Sequence, residues 1–359
     1  MRVSSRGFWS TLGGIASTLA WTASLAQGKG ITDVSGIRVG HYTMPARPTG
    51  CTVILIDGAG AAGGVSQRGA APGTRETDVL NPLNTVDKVN AIVLTGGSAY
   101  GLDAASGVMK YLEEKNIGYK VGVGVVPIVP AAVIFDLPFG GDPKIRPTAD
   151  CGYRAASDAT NGAVKEGNIG VGAGATVGKL GRSEQRRGPM KAGVGTASIT
   201  LPSGLVVGAI VAVNAVGDVI DPQTGKIVAG VRNADNTLAD ARKLLRSGAP
   251  IAAPHPGENT TIAVVATNAR LTKTQANRLA LMADDGLARA IAPSHTQDDG
   301  DTVFGLATGT WDGAVDMTTI GGLAADVLAE AIVRAAARAD SSHGLVSAKQ
   351  LGTVPARIK

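Results

Sequence analysis

The sequence predicts an α+β fold, with layered sheets flanked by helices in one globular unit. Three observations predict it. Short apolar runs rich in Val, Ile and Ala recur between Gly, Pro and Asp turn signals, as buried strands do. Amphipathic helical patterns follow several of these runs. Of 359 residues, 44% are hydrophobic but only 3% aromatic, and 50 are glycine. Such a core is filled by small aliphatic side chains with many close backbone approaches.

Arg2 and Arg6 precede an apolar stretch ending in Ser24-Leu25-Ala26, before Gln27. A basic start, an apolar middle and a small-residue end read as a secretory signal over residues 1–26, the alternative being an uncleaved anchor helix. The mature protein is therefore expected to be periplasmic or secreted. Residues 27–50 read as a polar, Gly-rich lead-in. Residues 52–56 read as a strand ended by Asp57-Gly58, and a Gly/Ala/Arg-rich loop follows to residue 77. Residues 91–94 form a short strand. Gly96-Gly97-Ser98 then turns into a helix over 99–115, with Leu102, Ala105, Val108, Met109 and Leu112 on one face. Residues 121–134 give one or two strands, and 151–165 a small-residue helix. Residues 197–200 and 205–214 read as a hairpin turned at Pro202-Ser203-Gly204. The C-terminal third reads as strand, helix (272–290), strand (303–307) and helix (321–338). Thr272 and Gln275 have the spacing of a capping box.

Net charge is +5, with the basic residues scattered. The exception, Arg182, Arg186, Arg187 and Lys191, reads as an exposed loop. Without aromatics beside the basic residues, nothing points to nucleic acid. Cys51 and Cys151 permit a disulfide in an oxidising compartment, and the sequence leaves their pairing open. No Cys/His spacing resembles a zinc site, and no metal or organic cofactor is implied.

The chemistry centres on Asn259-Thr260-Thr261, where a polar linker meets the apolar run 262–267. A chain cut between Asn259 and Thr260 would place a hydroxyl and a free α-amine on one residue. An α-amine has a reference pKa of about 7.7–8, so it can take the hydroxyl proton near neutrality without a histidine. Asp299-Gly300-Asp301 opens the following strand. Carboxylates at i and i+2 of an extended segment face one side and push each other's protonation apart. Each feature also has a plain structural reading: a strand-start threonine and an acidic tight turn.

Other candidates stand beside it. Gly96-Gly97-Ser98-Ala99-Tyr100 resembles a nucleophile elbow without its last glycine, and His295 would complete a Ser98–His295 dyad. The Gly-rich run 170–179 loosely matches a dinucleotide fingerprint but lacks the acidic residue. It also lacks the Gly at 173 and the Ser or Thr at 180 of a P-loop, where Ala173 and Leu180 stand. Its glycines read as close backbone approach beside a pocket, with Lys179 pointing in. Asn214 ends a buried apolar run and needs partners, as an oxyanion donor or a structural bridge. Three functional classes follow. The first is a self-processing hydrolase on Thr260. The alternatives are a serine hydrolase on Ser98 and a non-catalytic periplasmic binding protein built on the Gly-rich pocket.

Seven stretches together resemble one family: residues 73–78, 96–105, 130–136, 174–179, 213–217, 259–261 and 299–302. The chain is similar to the self-cleaving L-aminopeptidase/D-amidase-esterases, the β-aminopeptidases and the nylon-oligomer hydrolases, over about residues 31–340. The resemblance implies an αββα four-layer sandwich like that of N-terminal-nucleophile hydrolases, with altered strand connectivity. It implies self-cleavage into chains 27–259 and 260–359 of one catalytic domain, and homo-oligomers of such αβ units. Residues 226–258 would then end the first chain as an exposed tail. By motif, Thr260 is the nucleophile, Asp299 and Asp301 the acidic pair, and Lys179 and Asn214 supporting groups. Substrates would be small aminoacyl peptides, amides or esters. Phe135 departs from members that carry a tyrosine there. Asp299-Gly300-Asp301 departs from members with a Ser-x-Glu pair.

Overall fold

A computed structural model describes residues 28–180, 186–248 and 258–358. Residues 1–26 of the expected signal, Arg182 and residues 249–257 of the expected tail lie outside them. The strands that build the two large sheets are, in chain order, β1 (Ile37–Thr43), β2 (Gly50–Ile56), β3 (Ala61–Gln67), β4 (Thr74–Arg75), β5 (Lys88–Val89), β6 (Ala91–Thr95), β7 (Ala131–Val133), β8 (Val194–Thr200), β9 (Val206–Asn214), β10 (Thr260–Ala269) and β11 (Thr302–Trp311). One sheet has the order β1-β2-β6-β7-β4, the other β8-β9-β10-β11-β3-β5.

Alternation along the strands makes the layers. Ile54 and Ile56 of β2 join Ile262, Val264, Phe304 and Leu306 in a core between the sheets. Their neighbours Val53 and Leu55 face the other way, onto α1 (Ala104–Glu113) and α2 (Ala149–Ser157). Across the molecule, Ala263, Val265 and Val303 pack against α3 (Lys273–Ala283), α4 (Asp285–Ala290) and α5 (Met317–Arg338). A period of two on each strand thus yields three apolar layers and an αββα sandwich. Among the described residues, no helix is long and apolar enough to cross a membrane.

The predicted hairpin is β8–β9, and Thr272 and Gln275 do form a capping box on α3. Cys51 and Cys151 are paired, tying β2 to α2 with Cα atoms 6.2 Å apart. Four expectations need correction. The lead-in contains β1, whose residues pair in full register with β2. The Gly/Ala loop contains β3, a strand inside the second sheet. Its glycines hid it, and they have a packing reason: a Cβ on Gly64 would lie 2.2 Å from the backbone nitrogen of Asn277 on α3. The stretch ending at Lys191 is not all exposed. Lys191 is fully buried, its ammonium donating to the carbonyls of Gly172 and Ala175 at 2.8 and 2.9 Å. Finally, residues 228–232 are buried rather than an exposed tail. Asp218 anchors that region by accepting hydrogen bonds from the N–H groups of Val231 and Ala241, both at 2.7 Å.

Candidate active site

Strand direction gathers the site. β10 runs antiparallel to β9 and parallel to β11. The start of β10, the start of β11 and the end of β9 therefore meet at one edge of the sheet. Asn214 stands opposite Thr260 in the register, and Asn259 bridges to Asp299. Five residues far apart in sequence are brought together this way: Lys179, Asn214, Thr260, Asp299 and Asp301. All are buried, Thr260 at 3% exposure and the two aspartates at 1% and 2%.

The bond between Asn259 and Thr260 is held from two sides. The Thr260 hydroxyl donates to the Asn259 carbonyl oxygen at 2.5 Å, and the Gly300 N–H donates to the same oxygen at 2.8 Å. Gly300 has to be glycine here, because a Cβ would lie 2.6 Å from the Ala71 oxygen and 2.9 Å from Thr260 Oγ1. Asn259 Oδ1 and Nδ2, Thr261 Oγ1 and Asp299 Oδ1 are buried without a hydrogen-bond partner. Unpaired polar atoms of this kind are costly, and here they flank a single peptide bond.

Lys179 reaches in from the loop after the Gly-rich turn. Its ammonium donates to Asn214 Oδ1 at 2.8 Å, to the Asn214 carbonyl at 3.1 Å and to the Glu258 carbonyl at 3.4 Å. Asn214 Oδ1 also accepts from the Thr176 N–H at 3.1 Å, while Nδ2 donates to the Phe135 carbonyl at 3.0 Å. The amide thus bridges β9, the Lys179 loop and the Phe135 segment.

The two aspartates differ. Asp301 Oδ1 accepts the Thr261 N–H at 2.7 Å, and its Oδ2 accepts the backbone N–H of His295 at 3.1 Å and faces His295 Nδ1 at 2.9 Å. Asp299 has donors on one oxygen only, the Thr296 N–H at 2.8 Å and hydroxyl at 2.7 Å. Burial first, then the charge of Asp301, pushes the Asp299 carboxyl up to about 6, against the pull of Thr296 and Lys179.

Sequence reasoning missed Gly300 as a carbonyl donor, and missed Asp284 and His295 as companions of the acidic pair. The glycine inside Asp299-Gly300-Asp301 was the available signal for the first. Nothing local marks Asp284. His295 was assigned to Ser98, and the structure does not bring those two together. Its ring nitrogens face Asp301 at 2.9 Å and Asp284 at 3.4 Å. Ser98 follows β6 with a left-handed φ of 55°, as an elbow would. No described histidine is bonded to it: His41 pairs with Thr52 and His343 with Ser342.

Comparison with known proteins shows the family and the fold. The sequence profile of peptidase family S58 matches residues 29–350. The chain is 44% identical over 340 residues to an uncharacterized aminopeptidase of Mycobacterium tuberculosis, covering 88% of this chain and 95% of that one. It is 31% identical over 322 residues to a 6-aminohexanoate-oligomer endohydrolase of Kocuria sp., covering 85% of each. Its fold is similar to the L-aminopeptidase D-Ala-esterase/amidase of Ochrobactrum anthropi, described as a variant of the Ntn-hydrolase fold. That match has a TM-score of 0.66 at 20% identity and covers 91% of this chain and 95% of the other.

Proposed function

The chain belongs to peptidase family S58, and from that premise we propose an exported amidohydrolase that cuts itself before Thr260 and then works through that threonine. The family supports hydrolysis of peptide amide bonds. The nucleophile rests on one observation: Thr260 Oγ1 lies 2.5 Å from the Asn259 carbonyl oxygen, which the Gly300 N–H also holds.

In cutting, Oγ1 attacks the Asn259 carbonyl carbon while the Gly300 N–H stabilises the oxyanion. The C–N bond breaks, the nitrogen takes up a proton, and Asn259 is left as an ester on Oγ1. Water hydrolyses the ester, ending one chain at Asn259 and regenerating the Thr260 hydroxyl beside the α-amine already freed. In turnover that amine accepts the hydroxyl proton as Oγ1 attacks the substrate carbonyl. It returns the proton to the departing amine product, and water then releases the acyl group. Asp299 Oδ1, unpartnered in the uncut chain, is the acceptor for an ammonium at this position. Lys179 and Asn214 fix the segments around the bond.

Release of an N-terminal residue from small aminoacyl peptides, amides or esters suits an acidic pair beside the nucleophile. Association of αβ units into a homo-oligomer follows from the family resemblance. Export is supported by the Cys51–Cys151 pair, because disulfides persist in oxidising compartments. The test is a panel of L-, D- and β-aminoacyl p-nitroanilides with the purified two-chain protein. Turnover of at least one class is expected, and N-acetylation of that substrate should abolish it. Equal turnover of the acetylated form would remove the aminopeptidase reading.

A further inference from the structure

We propose that His295 is a positioning residue that divides the roles of the acidic pair, holding Asp301 as a fixed acceptor and leaving Asp299 to exchange a proton. The inference rests on Thr260 as the nucleophile.

The geometry carries it. Asp301 has three N–H groups around its two oxygens: Thr261 at 2.7 Å, the His295 backbone at 3.1 Å and the His295 ring at 2.9 Å. A carboxylate so surrounded acts only as an acceptor. Two of the three groups come from His295, so one residue supplies most of the hydrogen bonding around Asp301. Asp299 keeps a bare, buried oxygen. Burial and the charge of Asp301 both raise Asp299, so of the two carboxyls it is the one placed to take up a proton.

The ring is itself fixed. Its backbone is left-handed, with φ 54°. Nε2 faces Asp284 Oδ1 at 3.4 Å, and Asp284 Oδ2 accepts the Ser66 hydroxyl at 2.7 Å and faces Arg68 Nε at 3.3 Å. The charged groups facing the ring are therefore Asp301, Asp284 and Arg68, while Lys179 acts on Asp299. Burial pulls the imidazole down and Arg68 adds to that, but the Asp301 bond and both carboxylates raise it overall. A ring carrying protons on both nitrogens fits this setting. It donates Nδ1–H to Asp301 and presents Nε2–H to Asp284.

The test compares wild type, His295→Gly and His295→Asn after maturation. Glycine keeps the left-handed backbone and removes the ring. Asparagine also tolerates that backbone and places an amide nitrogen near the position of Nδ1. His295→Gly should lower kcat by about 10- to 100-fold, the value of a hydrogen bond to a charged group. KM should change little, and the acid limb of the pH profile should move to higher pH. His295→Asn should recover most of the rate but only part of the limb shift, because it restores the donor without the charge. Where His295→Gly matures too slowly, the same comparison is made on the rate of cutting. A His295→Gly enzyme with wild-type kcat and limb overturns the proposal. So does a His295→Asn enzyme as impaired as His295→Gly. The N-terminus of the wild-type small chain is read first. A start other than Thr260 removes the nucleophile itself, an outcome separate from any His295 effect.

Discussion

Thr260 opens β10 in one sheet and Ser98 follows β6 in the other, and the surroundings of the two hydroxyls differ in kind. Around Thr260 lie a polarised carbonyl, two carboxylates and a lysine. The segment carrying Ser98 is instead knotted to a structural ion pair. Asp136 accepts the Gly97 N–H at 2.9 Å and the Thr49 hydroxyl at 2.6 Å, and it pairs with the fully buried Arg47 at 2.8 Å. Both sites hold buried charge, and Ser98 even has the strained backbone of an elbow. What separates them is orientation. The polar atoms near Thr260 converge on one peptide bond or are left unpaired beside it, whereas those near Ser98 satisfy one another.

The contrast can be broken or sharpened by mutation. Thr260→Ala should give the largest effect, a single uncut chain with activity reduced by about 10⁴-fold or more. Full activity in an uncut Thr260→Ala protein would return the role to another hydroxyl. Asp301→Asn comes next. The amide must turn an NH2 toward either the Thr261 N–H or His295, so one donor meets another. A loss on the order of 10²-fold or more is expected from a folded protein, and near-normal turnover would make the turn merely structural.

Asp299→Asn probes the other carboxylate through stability. Its folded-state value, about 6, lies above the unfolded reference of about 3.9. The stabilising contribution is therefore present below about pH 4 and lost as pH rises through about 6. In the uncut Thr260→Ala background, the asparagine variant should gain relative stability over that interval, by about 2 kcal/mol. Melting curves that stay parallel across it would contradict the buried, raised carboxyl. Ser98→Ala should do least, changing turnover less than about twofold and stability by under about 1 kcal/mol. A dead but correctly cut Ser98→Ala enzyme would reverse the comparison.

Much of the site was legible because strand starts and ends carry local signals. Thr260 and Asp299 each stand at a polar-to-apolar boundary, and Asn214 closes a run of buried aliphatics. The unbroken apolar run 262–267 also made the two-sided burial of β10 readable. What the sequence hid has physical causes. β3 was masked by Gly63 and Gly64: a Cβ on Gly64 would meet a helix distant in the chain, and one on Gly63 would meet Leu80 and Val89. Lys191 looked like a loop lysine because backbone carbonyls, invisible as side-chain pattern, solvate its ammonium. There burial pulls it down to about 7. His295 was assigned to the wrong partner because its true neighbours, Asp284 and Asp301, flank it at unequal distances along the chain. A His295→Ala substitution does not separate the Ser98 and Thr260 readings, since either predicts a loss.

The measurement that bears most directly on the central claim is N-terminal sequencing of the small chain from the wild-type protein. Self-cutting between Asn259 and Thr260 predicts two bands from one gene product, the smaller beginning Thr-Thr-Ile-Ala-Val. A single uncut band with full activity, or a small chain with any other start, would contradict it.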